Sequence, residues 1–344
     1  MPSTDQIKAV RFDHPESLPV SVHINAACFN HYPTEAIVAL MQAHPRLFPN
    51  VDPENSRGEL HPRFLADAPY TDPWGCVFQC PEDGLAGAPV RHPLADWADF
   101  DNYTPPDPET HDGWDRFDWS ACAASIQQAR DNGQHPGGGL RHGHTFLTLT
   151  YIRGYENLIY DMADDRPELH RLIEMVEAFN LARVTRYIDL GVEWMGYPED
   201  LGMQRGPMLA PEMFRAYIKP VYTRLMKPAR DAGAIVYMHC DGDVRDLAED
   251  LLDCGVEVLN IQDLVNGVDW IAEHLKGRVA IDLDIDRQNI VRAGSPEDVK
   301  NHVRRCVDTL NAPEGGLMLT WGWYPGIPME NAAAVMEVFE EVGG

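Results

Sequence analysis

The chain has 344 residues, 44% of them hydrophobic, which is enough for one large core and within the range of a single α/β barrel carrying insertions. Its 54 acidic and 28 basic side chains leave a formal charge of −26, a sign that repels nucleic-acid backbones and anionic membrane surfaces, and no basic patch offsets it. No run approaches the roughly 20 apolar residues of a membrane span. Met1 to Val10 lacks the apolar segment of a secretory leader, so a cytoplasmic protein is expected. The seven cysteines include no C-x-x-C pair, which argues against a zinc ribbon or dithiol centre.

In chain order, Val20 to Ile24 reads as a first strand, Thr34 to Ala43 as a helix and Trp74 to Gln79 as a short strand. Asp99 to Trp114 and Gly133 to Gly143 carry no apolar period and read as long surface excursions; Gly137-Gly138-Gly139 is a glycine run with no strand before it. From about residue 145 short apolar runs alternate with helical stretches, the pattern of βαβ units and a parallel sheet. The expected strands are Phe146 to Thr150, Val192 to Gly196, Ala234 to Met238, Val256 to Asn260, Val279 to Leu283 and Leu317 to Thr320. A long helix carries the stripe Leu169, Leu172, Ile173, Val176, Phe179, Val184 and Ile188, and another spans Pro211 to Ala232. Gly255 suits a helix stop, and Ser295-Pro296-Glu297-Asp298 opens a helix through Leu310. The expectation is one (β/α)₈ TIM-type barrel domain over residues 1–344, with long N-terminal loop excursions.

In such a barrel the chemistry gathers at the C-terminal ends of the strands. The sharpest end is His239-Cys240-Asp241-Gly242-Asp243. Strand alternation sends His239 and Asp241 one way and Cys240 the other, so imidazole and carboxylate converge either as a partial zinc site or as an Asp-held structural histidine. A second end carries Glu199, Asp200 and, one turn on, Gln204; the two adjacent carboxylates could supply a metal ligand, a general base or a substrate clamp, or form an acidic loop capping the next helix. Asn260 and Gln262 could orient substrate, Trp321, Trp323 and Tyr324 could wall it, and Asp282, Asp284 and Asp286 follow another strand. His23 and Asn25 end the first strand; His142 and His144 precede the Phe146 run, and lone histidines in such places are more often structural. There is no G-x-S-x-G elbow and no nucleotide phosphate loop.

The order of motifs resembles the uroporphyrinogen decarboxylase superfamily, from about residue 70 to the end. The matching pieces are Asp72-Pro73-Trp74-Gly75-Cys76, His92-Pro93-Leu94 with Trp97, Asp200 to Pro207, Pro211-Glu212-Met213-Phe214, His239 to Asp243, Gly255 to Gln262 and Ile327-Pro328-Met329-Glu330-Asn331. The decarboxylase itself fits poorly. Its arginine-rich R-Q-A-G-R segment is missing, the corresponding region here carrying His23, Asn25 and Cys28, and so acidic a protein is a poor host for a substrate with eight carboxylates.

The cobalamin-linked methyltransferase branch fits better, and the resemblance implies zinc at the H-x-C position. Here Asp241 replaces that cysteine, and the later cysteine is absent from Trp321-Gly322-Trp323-Tyr324. Imidazole and carboxylate make a harder, more Lewis-acidic centre than thiolates. Metal ligation is expected from His239, Asp241 and Glu199, catalysis from Asp241, Glu199 and Asp200, and substrate contacts from His23, Asn25, Gln204, Asn260, Gln262, Trp321, Trp323 and Tyr324. The implied reaction moves a methyl group from a small O- or N-methylated donor to cobalamin on a corrinoid partner protein, with a homodimer the favoured assembly. The alternatives are a metal-independent decarboxylase or lyase acting on a small carboxylated substrate, and a noncatalytic barrel that senses a small molecule.

Overall fold

The computed structural model describes residues 3–52 and 60–344. Its strands are β1 (Val20–Ile24), β2 (Tyr70–Thr71), β3 (Val77–Gln79), β4 (Ala88–Arg91), β5 (Gly137–Gly139), β6 (Trp194–Gly196), β7 (Glu199–Asp200), β8 (Ile235–Asp241), β9 (Val258–Gln262), β10 (Ala280–Asp284) and β11 (Leu317–Trp323). β2, β3 and β4 form a small antiparallel sheet; the rest follow the order β1-β11-β10-β9-β8-β6-β5, with β7 also on β8. The registers β1–β11, β10–β11, β5–β6, β6–β8 and β7–β8 are all parallel, with helices between strands, so the fold class is the α/β, TIM-type one that the alternating pattern predicts.

The chain divides into two compact units. The first is mainly Tyr70–Gln79 and Ala88–Asn260, and its backbone is the Pro167–Asp189 helix, which buries Leu169, Leu172, Val176, Phe179 and Val184. Each such side chain contributes roughly 1.5–3 kcal/mol through removal from water. The second holds Cys80–Gly87 and Ile261–Gly344 with the chain from Asp5 to Pro69, where β10, β11 and β1 lie side by side. In it Ser295 and Asp298 exchange side-chain-to-backbone hydrogen bonds ahead of the Pro296–Leu310 helix, the capping box read from sequence. Ser295→Ala is expected to lower stability by about 1 kcal/mol, seen as a lower denaturant midpoint at unchanged slope.

Three expectations are corrected. Phe146 to Thr150 is not a strand but the start of the helix Phe146–Arg153, nearly all of whose residues are buried. A helix enclosed on every side reads as a continuous apolar run, which periodicity cannot tell from a buried strand. The strand is instead the glycine run, β5, inside a stretch expected to be a surface excursion. Its lack of side chains is a packing requirement: a Cβ on Gly138 would lie 2.5 Å from the Tyr187 ring. Finally, Pro211 to Ala232 is interrupted by a wide π turn over Phe214–Ile218 before the Lys219–Asp231 helix. Pro220 has no N–H to give and crowds the carbonyl four residues back, which widens the turn. Other expected strands and helices lie where the sequence puts them, with ends displaced by a few residues; the expected excursion at Asp99 to Trp114 starts in a short 3₁₀ turn, Trp97–Asn102.

Candidate metal centre

β7 pairs with the end of β8 so that Glu199 stands opposite Cys240, and Asp200 opposite Asp241. Alternation along both strands then sorts the side chains. Glu199 and Cys240 are fully buried on one face, while Asp200, His239 and Asp241 are partly open on the other. Cys240 accepts a hydrogen bond from the Leu201 amide at 3.1 Å, and burial pushes its thiol well above the usual range, so it is no nucleophile. The turn after Asp241 passes directly against Gly202: Gly242 sits at φ +84°, and a Cβ there would lie 2.2 Å from the Gly202 carbonyl carbon.

A third element completes the cluster. The segment leaving β5 is tied down by the Leu140 amide on Gly196 O and the Gly143 amide on Pro198 O, and between them it delivers His142. His142 Nε2 lies 3.2 Å from Asp200 Oδ1, and His239 Nε2 lies 3.7 Å from the same oxygen and 3.7 Å from Asp241 Oδ1. Behind His239, the side-chain oxygen of buried Asn260 accepts a hydrogen bond from Nδ1. That tautomer leaves Nε2 as the lone-pair donor facing the cluster. Burial opposes charge on His142, but the hydrogen bond and charge of Asp200 outweigh it and raise its pKa; the same partnership holds Asp200 below its ordinary value despite burial.

His142, Asp200 and His239 offer three ligand atoms within 4.8 Å of one another. A tetrahedral ion with ligand bonds of 2.0–2.2 Å sets its ligand atoms about 3.3–3.6 Å apart, and the 3.2 and 3.7 Å separations bracket that figure. The donor set therefore fits a divalent cation of zinc's size, with no thiolate. In the second unit Asp263, His302 and Cys306 also cluster. There His302 Nε2 is 2.6 Å from Asp263 Oδ2, which is hydrogen-bond distance and too short for two ligands of one ion.

Glu199, expected as ligand and catalyst, faces away from this centre, its carboxylate occupied by the amides of Thr145, Phe146 and Leu147 and the Tyr222 hydroxyl. Burial pushes its pKa up to about 7. Gln204 is exposed in the 203–206 turn. Among residues of the second unit, His23 is exposed at the end of β1, Asn25 Oδ1 accepts from the Ala27 amide, and Gln262 is buried at the end of β9. Trp321 and Trp323 are fully buried and stack at 6.4 Å, and Tyr324 lies under the Arg287 guanidinium, which pairs with Asp284. Asp286 caps the amides of Gln288, Asn289 and Val291. His144 is a core residue, its pKa pushed down to about 3 by burial. His142 is the residue that sequence undervalued: once Gly137–Gly139 is read as a strand, His142 stands at a strand's C-terminal end.

The uroporphyrinogen decarboxylase (URO-D) family profile matches residues 72–342. The chain belongs to the URO-D family. No curated protein matches it. Among solved structures, a methyltransferase from Methanosarcina mazei is similar at 16% identity and TM-score 0.66, with 98% of each chain covered, which establishes a shared fold. A B12-independent methionine synthase from a Shewanella species aligns over 64% of this chain and 66% of its own at 9% identity and TM-score 0.41. In this URO-D family member Asn260→Ala is expected to weaken any zinc binding at this donor set by about 10- to 100-fold through loss of the His239 tautomer lock, leaving the circular dichroism spectrum unchanged. Metal titration checks it.

Proposed function

We propose that this protein is a zinc-dependent methyltransferase that takes a methyl group from a small O- or N-methylated compound and passes it to cobalamin on a corrinoid partner. The observation that carries the proposal is the His142, Asp200, His239 donor set beside Asp241. Membership of the URO-D family and the fold shared with a protein described as a methyltransferase support it. Zinc held by His142, Asp200 and His239 would act as a Lewis acid toward the heteroatom bearing the methyl group.

The chain's residues supply the rest. Asn260 presents His239 in one tautomer, and Asp200, held ionised, anchors both imidazoles. Asp241, partly open beside His239, is placed to accept a hydrogen bond from an N–H or O–H of the donor. Reduced cobalamin on the partner would supply the electron pair that receives the methyl group, while this chain holds the donor so that the departing heteroatom keeps its bonding pair and takes up a proton from solvent.

The test is loss of Co(I) absorbance when reduced cobalamin is mixed with enzyme and a panel of methoxy and methylamine compounds. Methylation is expected with at least one donor, abolished by chelator and restored by zinc. Enzyme that binds no metal and methylates no corrinoid overturns the proposal, and release of carbon dioxide from a carboxylated compound would put the lyase reading in its place.

A further inference from the structure

The dipeptide Glu199-Asp200 performs two different tasks on opposite faces of β7. Asp200 enters the metal centre, whereas Glu199 is completely buried and meets the start of the Phe146–Arg153 helix. Its oxygens accept hydrogen bonds from the Thr145 amide at 2.9 Å, the Phe146 amide at 2.8 Å, the Leu147 amide at 3.2 Å and the Tyr222 hydroxyl at 3.0 Å. The first amides of a helix have no intrahelical partner, and Thr145, the N-cap residue, gives no side-chain cap here. Glu199 therefore caps this helix from a neighbouring strand.

His142 lies three residues before Thr145, and the chain between them has little freedom. The Gly143 amide bonds Pro198 O, and Gly143 O accepts both the Thr148 amide at 3.0 Å and the Thr148 hydroxyl at 2.6 Å. The backbone just after His142 is thus fastened to Pro198 at one point and to Glu199 at another, directly ahead of the oxygen His142 meets. We infer that Glu199 is a positioning residue: by clamping the start of the Phe146 helix it holds the His142 imidazole against Asp200, and so sets the centre's affinity for metal without ligating it. Only the clause on affinity rests on the metal reading; the hold on His142 stands on the hydrogen bonds.

Glutamine at this position has nearly the same shape but one acceptor oxygen, and its amide nitrogen would confront backbone N–H donors. The charge-assisted bonds weaken and the clamp loosens. Loss of a purely stabilising cap would lower the melting temperature and leave His142 where it is. Glu199→Gln is compared with wild type by histidine-selective ¹⁵N NMR of metal-free protein, with His142→Ala assigning the signal, and by zinc titration of both.

The expected results are a displaced His142 signal with that of distant, exposed His170 unmoved, and zinc affinity about 10- to 100-fold weaker. In the His142→Ala background the same substitution is expected to change zinc affinity by less than about twofold, since a residue acting through His142 has nothing left to act on. Tyr222→Phe removes one of the four bonds, keeps the carboxylate, and is expected to move the His142 signal in the same direction by less, which covers a Glu199→Gln variant that does not fold. An unmoved His142 signal in the folded variants, or an equal affinity loss without His142, overturns the inference. A moved signal in a wild-type protein that binds no zinc upholds the positioning role and removes the metal reading instead.

Discussion

On the proposed function, Asp200→Ala is expected to weaken zinc binding by at least about 100-fold, beyond the range of substitutions that only orient a ligand, and to abolish methyl transfer. One oxygen of Asp200 faces both imidazoles, at 3.2 Å from His142 and 3.7 Å from His239, and also accepts the Asp241 amide at 3.2 Å. Removing it withdraws the anion shared by the two histidines and leaves His142, whose raised pKa depends on Asp200, an easier base to deprotonate but without its anchor. Competition with a chromophoric chelator reads the affinity, and far-ultraviolet circular dichroism reports whether the fold persists. Asp241→Ala is expected to be milder, because Asp241 reaches His239 but lies outside the group of three.

Arg183→Ala is expected to cost about 3–4 kcal/mol of stability, from two charged hydrogen bonds and the ring contacts of one cation. Arg183 is 1% exposed. Its guanidinium lies over Phe117 at 4.4 Å and Trp119 at 4.7 Å, and it donates to Pro108 O at 3.1 Å and His111 O at 2.6 Å. It thereby joins the Pro167–Asp189 helix to the segment around residues 108–119, whose Phe117 and Trp119 rings also meet Tyr187 of that helix. Lysine keeps the charge but not the planar fork and is expected to recover less than half the loss. Urea denaturation of the three proteins measures both differences.

Much of the fold was legible because buried parallel strands and amphipathic helices leave different periods in the sequence. Val20–Ile24 and Thr34–Ala43 were readable to the residue, and Ser295 with Asp298 announced its helix by chemistry that acts locally. Two of the misread elements share one cause: their conformation is imposed by surroundings. Phe146–Arg153 is helical while buried on nearly every side, and β5 passes so close to Tyr187 that Gly138 has no room for a Cβ, which leaves the strand without a side-chain pattern to read. The site followed the same division. His239 and Asp241 were legible from alternation along one strand, as was the opposite direction of Cys240. His142 was not, because its strand was unreadable, and the inward turn of Glu199 depended on a helix N-terminus that sequence had assigned to a strand.

The exclusion of sulfur from this centre reaches beyond Lewis acidity. Where a thiolate holds zinc, peroxide or disulfide exchange converts the ligand and releases the ion. Imidazole and carboxylate offer an oxidant nothing to attack, and Cys240, the thiol next to the ligands, is sealed on the opposite face of its strand with its proton held tightly. On the proposed function this donor set is therefore indifferent to thiol oxidants, and the oxygen sensitivity of the reaction resides in the reduced corrinoid rather than in His142, Asp200 and His239.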